Sequence, residues 1–149
     1  MHDPTERRII ILSSDGLDTA SVTKATEVIE PARADAISFY VVRFPLFAPR
    51  AGHLTPRPAA KGFRELAEKT GGRYFTIGDV RSALDANAQY NLSAVFKSIE
   101  EDLASQYLLG FYPEEASRDG RWHHIEVNLT KNARSYRVKT LREEYSLKH

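Results

Sequence analysis

The chain has 149 residues, 42% of them hydrophobic and 28% charged, which is the composition of a globular domain rather than of a disordered or fibrous segment. Its net charge of +1 argues against a protein whose main role is to coat nucleic acid. It has no cysteine, so disulfides, thiolate nucleophiles and cysteine-bound zinc are excluded. No apolar run approaches the roughly 20 residues of a membrane span, and the first residues do not open a signal peptide.

The first third of the chain has the pattern of a strand, a helix and a second strand. The apolar run RRIIIL at 7–12 ends at a Ser-Ser-Asp-Gly turn, which predicts a strand buried on both faces, as in a parallel sheet. A helix is predicted behind Ser21, and Pro31 should kink or shorten it. A second apolar run at 37–42 completes the size of a βαβ unit. The predicted helix has apolar residues at helical spacing: Val22, Ala25, Ile29 and Ala32.

The middle of the chain predicts two more helices and a third strand. Four prolines and a glycine make 43–60 an irregular connection that no regular element is expected to cross. A short helix at 63–67 should close at the Thr-Gly-Gly of 70–72, and 73–77 predicts a strand. An amphipathic helix follows, and its apolar face carries Leu92, Val95, Phe96, Ile99 and Leu103.

The last part of the chain changes from helical to alternating patterns. An apolar run at 107–112 and alternating residues at 122–129 and 136–140 predict an antiparallel meander. We therefore predict an α/β unit over residues 1–105 and an antiparallel β extension over 106–149, packed on that unit as one domain.

Asp15 is the best candidate for a functional side chain, because it follows the carboxyl end of a predicted parallel strand, where open α/β sheets bind their ligands. A carboxylate there suits Mg2+. Further oxygens nearby come from Ser13, Ser14, Asp18 and Thr19. The competing interpretation is that this segment is ordinary turn chemistry. Asp15 and Asp18 together suggest a phosphoryl-transfer pair, but no phosphate-cradling glycine loop accompanies them.

Two other groups of residues invite a functional interpretation. His123 and His124 are neighbours on a predicted strand, so they point to opposite faces and cannot bind one metal ion together. We expect the first histidine to be packed and the second to face water. Aromatic side chains of the tail could stack on a sugar or a base, but in antiparallel strands they are more often core residues or cross-strand pairs, and we expect core residues here. These aromatic residues are Tyr107, Phe111, Tyr112 and Trp122.

Several stretches in the same order resemble a known family. They are RRIIILSSDGLDT at 7–19, ISFYVV at 37–42, FRELAEKTGGRYF at 63–75 and SQYLLGFYP at 105–113. Together they resemble the second half of a von Willebrand factor type A domain, and more narrowly the bacterial proteins related to it. The resemblance covers residues 7 to about 138. It implies a Rossmann-like, three-layer partial α/β fold with parallel strands, helices packed on the sheet and a C-terminal antiparallel β extension.

The resemblance also implies what kind of site to look for. Type A domains build a metal-ion-dependent adhesion site from three loops, and only the acidic turn, with Asp15, is matched in this sequence. An Asp-x-Ser-x-Ser motif occurs nowhere in the chain. The site is therefore incomplete, so we expect at most weak Mg2+ binding and no other cofactor. The strand at 7–12 would lack its usual neighbour and expose an edge, which proteins normally cover or pair.

The sequence thus predicts a non-enzymatic protein-binding or assembly module that binds no nucleic acid. We expect its strand at 7–12 to pair with its counterpart in a homodimer, with a protein partner or with a strand of the tail. One alternative is a Mg2+-dependent hydrolase or phosphotransferase that uses Asp15 and Asp18. Another is an inactive fragment of a longer type A protein. The compartment is not indicated, although the bacterial group that the chain resembles is often extracytoplasmic.

Overall fold

The computed structural model describes residues 8–114, 119–131, 136 and 138–147. The chain divides into two compact units, Met1–Gln106 and Tyr107–His149, and each is described by itself. That the second unit packs on the first stays a prediction.

The first unit combines strands and helices. Three strands that are distant in the sequence form one parallel sheet in the order β1-β2-β5. This arrangement confirms the predicted α/β, Rossmann-like fold class. In chain order the elements are β1 (Arg8–Ser14), a 3₁₀ helix (Ala25–Val28), α1 (Ile29–Ala34), β2 (Ile37–Arg43), β3 (Phe47–Arg50), β4 (His53–Pro56), α2 (Phe63–Lys69), β5 (Tyr74–Thr76), α3 (Val80–Leu84) and α4 (Ser93–Ala104).

The first helix is shorter than its apolar spacing predicts. Regular structure begins at Ala25 as a 3₁₀ turn rather than behind Ser21, and Val22 is 99% exposed. Pro31 is the third residue of α1, within the first turn, where a missing N–H removes no helical hydrogen bond. The helix therefore starts around its proline instead of being kinked by it.

The prediction of an irregular connection over 43–60 is wrong, because β3 and β4 form an antiparallel hairpin there. Its two-residue turn has positive φ at Ala51 and Gly52, which matches the twist of the flanking strands. Pro49 faces Leu54 across the ladder, at a position where the backbone groups point away from the partner strand. A proline can occupy such a position without removing a hydrogen bond of the ladder.

The core lies between β2 and α4. Tyr40 and Val42 are buried to 0% and 3% exposure and pack with Val95 and Ile99. The Tyr40 hydroxyl donates to the Asp102 carboxylate at 2.8 Å, which ties the buried strand to the helix. The predicted apolar face of α4 is thus confirmed at its centre, whereas Phe96 is half exposed.

The end of α2 is fitted closely to β2. Thr70 is buried, and its hydroxyl accepts the Phe39 N–H at 2.9 Å while donating to the Leu66 carbonyl at 2.7 Å. A Cβ on Gly72 would lie 2.0 Å from the Phe39 carbonyl oxygen. The predicted Thr-Gly-Gly helix end is therefore also the place where α2 meets the backbone of β2.

The described residues of the second unit form one antiparallel pair of strands, β6 (His123–His124) with β7 (Glu144–Tyr145). The apolar run at 107–112 is not a strand, and part of the predicted run at 136–140 lies outside the described residues. The expectation that the tail aromatics are core residues is wrong, because all four are more than half exposed. The exposed aromatic residues are Tyr107, Phe111, Tyr112 and Trp122.

Candidate functional site at the carboxyl end and free edge of the sheet

Asp15 lies directly after β1, at the carboxyl end of the sheet, where the sequence places it. Its carboxylate accepts the Leu17 N–H at 2.8 Å, and the Ser14 hydroxyl accepts the Gly16 N–H at 3.0 Å. Gly16 has a φ of 87°, which residues with a Cβ adopt only with strain. The turn therefore uses its polar side chains to satisfy its own backbone, as the competing interpretation expects.

Arg43, which ends the neighbouring strand β2, packs against the same turn. Its Nε donates to the Asp15 carbonyl at 3.4 Å, and its terminal nitrogen donates to the Arg57 carbonyl at the base of the hairpin. A Cβ on Gly16 would lie 2.5 Å from the Arg43 Nε. Sequence reasoning missed this residue, although an arginine directly after an apolar strand is a visible signal for the end of a sheet.

The carboxyl end of the sheet brings together one carboxylate, Asp15, and one guanidinium, Arg43. Among the described residues, no group of three or more His, Asp or Glu could hold a metal ion. The positive charge of Arg43 beside the turn opposes a second cation. Asp15 therefore contributes one carboxylate, already hydrogen-bonded, to a place where Mg2+ would need several oxygen ligands.

Among the described residues, no contact joins Asp18 to Asp15, so the two do not form a carboxylate pair. Its carboxylate accepts the Ser21 N–H at 3.0 Å. The hydrogen bonds from the Ser21 side chain and backbone lower the pKa of Asp18. Each of the two aspartates thus stabilises a turn of its own.

The two histidines of β6 have different surroundings, as their strand positions predict. His123 is half-buried: its ring stacks on Tyr145 with centroids 5.3 Å apart, and its Nε2 lies 3.0 Å from an Asp119 carboxylate oxygen. The pKa of Asp119 is lowered by hydrogen bonds from the Arg121 backbone and then from His123. His124 is exposed, so the pair makes no joint site.

The free edge of β1 is the most unusual surface of the first unit. Ile9, Ile10 and Ile11 are 38%, 41% and 40% exposed, so the expectation of a strand buried on both faces is wrong. On one side β1 pairs with β2 along its full length, from Arg8 opposite Ile37 to Ser14 opposite Arg43. On its other side, no strand within the described part of the chain pairs with it.

No protein-family model matches this chain, and no curated protein matches it. Solved structures with a similar fold include an uncharacterized membrane spanning protein from Vibrio fischeri, with 24% identity and a TM-score of 0.41 over 65% of this chain and 47% of that one. An aerotolerance-related membrane protein from Bacteroides fragilis has 17% identity and a TM-score of 0.45 over 70% and 54%. The conserved hypothetical protein BatB from Bacteroides thetaiotaomicron has 20% identity and a TM-score of 0.45 over 70% and 54%.

The chain spans about half the length of these three structures. In the residues that the structure describes, no helix has both the length and the apolar character required to cross a membrane.

Proposed function

We propose that this chain is a non-enzymatic assembly module of the von Willebrand factor type A kind, and that it completes its sheet by pairing β1 with a strand of a second polypeptide. The observation that carries the proposal is the free edge of β1, a seven-residue strand with four consecutive apolar residues at 9–12, three of them exposed. An edge strand presents unpaired N–H and C=O groups, and a long apolar one is a ready template for another strand.

The other strand edges of the first unit are protected in ways that β1 is not. β5 has only three residues, and both hairpin strands contain a proline, Pro49 in β3 and Pro56 in β4. Short length and proline are the devices by which proteins discourage strand addition. β1 is long and has no proline, with Arg8 as its one charged residue. Among the described strands of the first unit, β1 is therefore the one whose edge is fit for pairing.

A second copy of the same chain is the partner that β1 fits best. In an antiparallel pair the strand runs against itself, so each Arg8 lies opposite the serine end of the other copy. The two positive charges are then at opposite ends, and with Ile11 opposite its own copy, Ile10 faces Leu12. Such a contact closes after two copies, as isologous interfaces do.

Because the chain has no cysteine, single introduced cysteines can test this arrangement residue by residue. In single-cysteine variants at 9–13, a disulfide can form only between two copies, because the chain has no other thiol. Under mild oxidation we expect cross-linked dimer to peak at the residue nearest the twofold axis and to fall on either side. A disulfide needs Cα atoms about 4.4–6.8 Å apart, so the peak should be one or two residues wide.

The matched control is Leu84→Cys, which places a thiol on an exposed helix position of the same unit. It should cross-link slowly, because pairing of β1 does not bring the two copies of residue 84 together. Equal cross-linking at Leu84 and at all five β1 positions would overturn the pairing of β1 with its own copy. So would the absence of any cross-link at 9–13.

The metal part of the proposal is that the adhesion site is incomplete in this chain. One carboxylate, Asp15, and a neighbouring arginine support weak binding at best. Isothermal titration with Mg2+ or Mn2+ should give no saturable heat at micromolar concentrations. Micromolar affinity together with turnover on a panel of phosphoesters would overturn the non-enzymatic assignment and favour a hydrolase that uses Asp15 and Asp18.

A further inference from the structure

Positive charge is concentrated in the segment that contains the hairpin. Between Asp35 and Glu65 the sequence has no acidic residue, although the whole chain is nearly neutral. The five Lys and Arg residues of this stretch are Arg43, Arg50, Arg57, Lys61 and Arg64. The overall charge of +1 therefore hides a local excess.

The ladder register places three of the hairpin's basic side chains on one face. The Arg57 N–H donates to the Leu46 carbonyl at 2.7 Å, so residue pairs two and four positions further along are also hydrogen-bonded pairs. The last of these is Arg50 opposite His53. Because directly opposite residues and every second pair share a face, Arg50, His53 and Arg57 lie on the same side. We call this side the basic face.

The basic face is exposed, and its arginines have no acidic partner among the described residues. Two helical cations of the same unit differ from them. Lys69 pairs with Glu65 at 2.6 Å and Lys97 with Glu101 at 4.0 Å. The charges of Arg50 and Arg57 are therefore available to an external anion.

The opposite face and the edges of the hairpin are unsuited to the same role. Phe47 and Leu54 lie on the opposite face and are half-buried. Pro49 and Pro56 occupy the positions whose backbone groups point outward, so each edge lacks an N–H that an added strand would need. Strand addition at the hairpin is therefore disfavoured, and its side chains are the groups that it offers for contact.

We propose that the basic face is a docking site for an acidic, extended segment of a partner protein. Arginine binds carboxylates through two parallel N–H bonds, which gives direction as well as attraction. Arg57 lies opposite Leu46, so Arg50 and Arg57 are separated by four residue positions along the strand direction, which is about 13 Å at the rise of a strand. Acidic residues four positions apart in an extended peptide span the same distance.

A lipid surface or a nucleic acid fits the hairpin less well. The turn carries Arg50, Ala51, Gly52 and His53, so its tip has no large apolar side chain to insert into a bilayer. Two or three cations also give only weak attraction to a charged surface, and nucleic-acid binding usually needs a more extensive basic patch.

Fluorescence anisotropy with a labelled (Glu-Ser)5 peptide tests the proposal on the full chain, with (Gln-Ser)5 as the uncharged probe. We expect saturable binding of the acidic peptide that weakens with added salt, and no binding of the neutral one. The double variant Arg50→Gln/Arg57→Gln should bind the acidic peptide about tenfold more weakly.

The matched control is Lys69→Gln/Lys97→Gln, which changes the net charge equally at exposed helix positions. It should keep the parental affinity, and circular dichroism should show that both double variants are folded. An equal loss in the two variants, or no binding of (Glu-Ser)5 by the parent, would overturn the proposal. Tighter binding of phosphatidylglycerol vesicles or of a DNA duplex that depends on Arg50 and Arg57 would also overturn it.

Discussion

β1 and β2 are adjacent strands with nearly the same sequence character and opposite surroundings. Each has seven residues and a continuous apolar run. Tyr40 and Val42 of β2 are at most 3% exposed, whereas Ile10 of β1 is 41% exposed. β2 has a strand on both sides, and β1 has one on a single side within the described residues. An apolar run thus predicts a strand, whereas the burial of its side chains depends on the elements that pack beside it.

The same substitution in the two strands should separate these roles most strongly. Val42→Lys places an unpaired charge in the core, and we expect it to lower the free energy of unfolding by about 4 kcal/mol or more. Ile10→Lys should leave the folded monomer within about 1 kcal/mol of the parent, because the side chain already reaches water. Thermal and urea unfolding followed by circular dichroism, with each variant at low concentration, compare the two. Equal destabilisation would contradict the difference in burial.

The close approach of α2 to β2 predicts the next largest effect. Gly72→Ala would bring a Cβ against the Phe39 carbonyl, and overpacking of this kind costs about 1–3 kcal/mol. An added Cβ at Gly52 would meet nothing within 4 Å, but Gly52→Ala adds the strain of a positive φ, which Gly72 does not have. Gly52→Ala is therefore a demanding control without steric overlap. Urea midpoints should be lower for Gly72→Ala than for Gly52→Ala. The reverse order would show that α2 does not contact β2 in this way.

The buried hydroxyl of Tyr40 should contribute less. Tyr40→Phe removes the hydrogen bond to Asp102, and we expect a loss of about 1–2 kcal/mol, because Arg73 still binds that carboxylate at 2.7 Å. Unfolding in urea at neutral pH, compared between the parent and Tyr40→Phe, measures this loss.

The pH dependence of the same pair gives a second readout. Burial, and then the hydrogen bond to Asp102, raises the pKa of Tyr40 above its ordinary value. The unfolded chain therefore loses this proton at a lower pH than the folded protein, so the stabilisation is present below about pH 10 and falls as the pH rises further. Parent and Tyr40→Phe should converge in stability in alkaline solution. A constant difference up to pH 11 would contradict this linkage.

The prolines of the hairpin predict the smallest change in stability and a visible change in association. Pro49→Val/Pro56→Val restores an outward N–H to each edge, and the free energy of unfolding should change by about 1 kcal/mol or less. We expect the variant to self-associate more than the parent in light scattering at equal concentration. Unchanged association of a folded variant would show that these prolines do not protect the edges.

The sequence predicts the parts of this fold that depend on local spacing. The strands β1, β2 and β5 and the apolar face of α4 follow from continuous or periodic apolar residues. The hairpin could not be predicted in this way, because prolines usually break strands. A strand tolerates a proline only where the backbone N–H would point away from the partner strand, and this depends on the pairing register. Arg43 was missed for a related reason: its contact with the Asp15 turn needs two strands side by side, and a single strand pattern carries no such information.

The mass of the parent chain in solution tests the central claim most directly. Size-exclusion chromatography with light scattering, over a range of concentrations, should give the mass of two chains, and Ile10→Lys should reduce it to that of one folded chain. A parent that stays monomeric at the highest concentration, or an Ile10→Lys variant that remains a dimer, would contradict the pairing of β1 with its own copy.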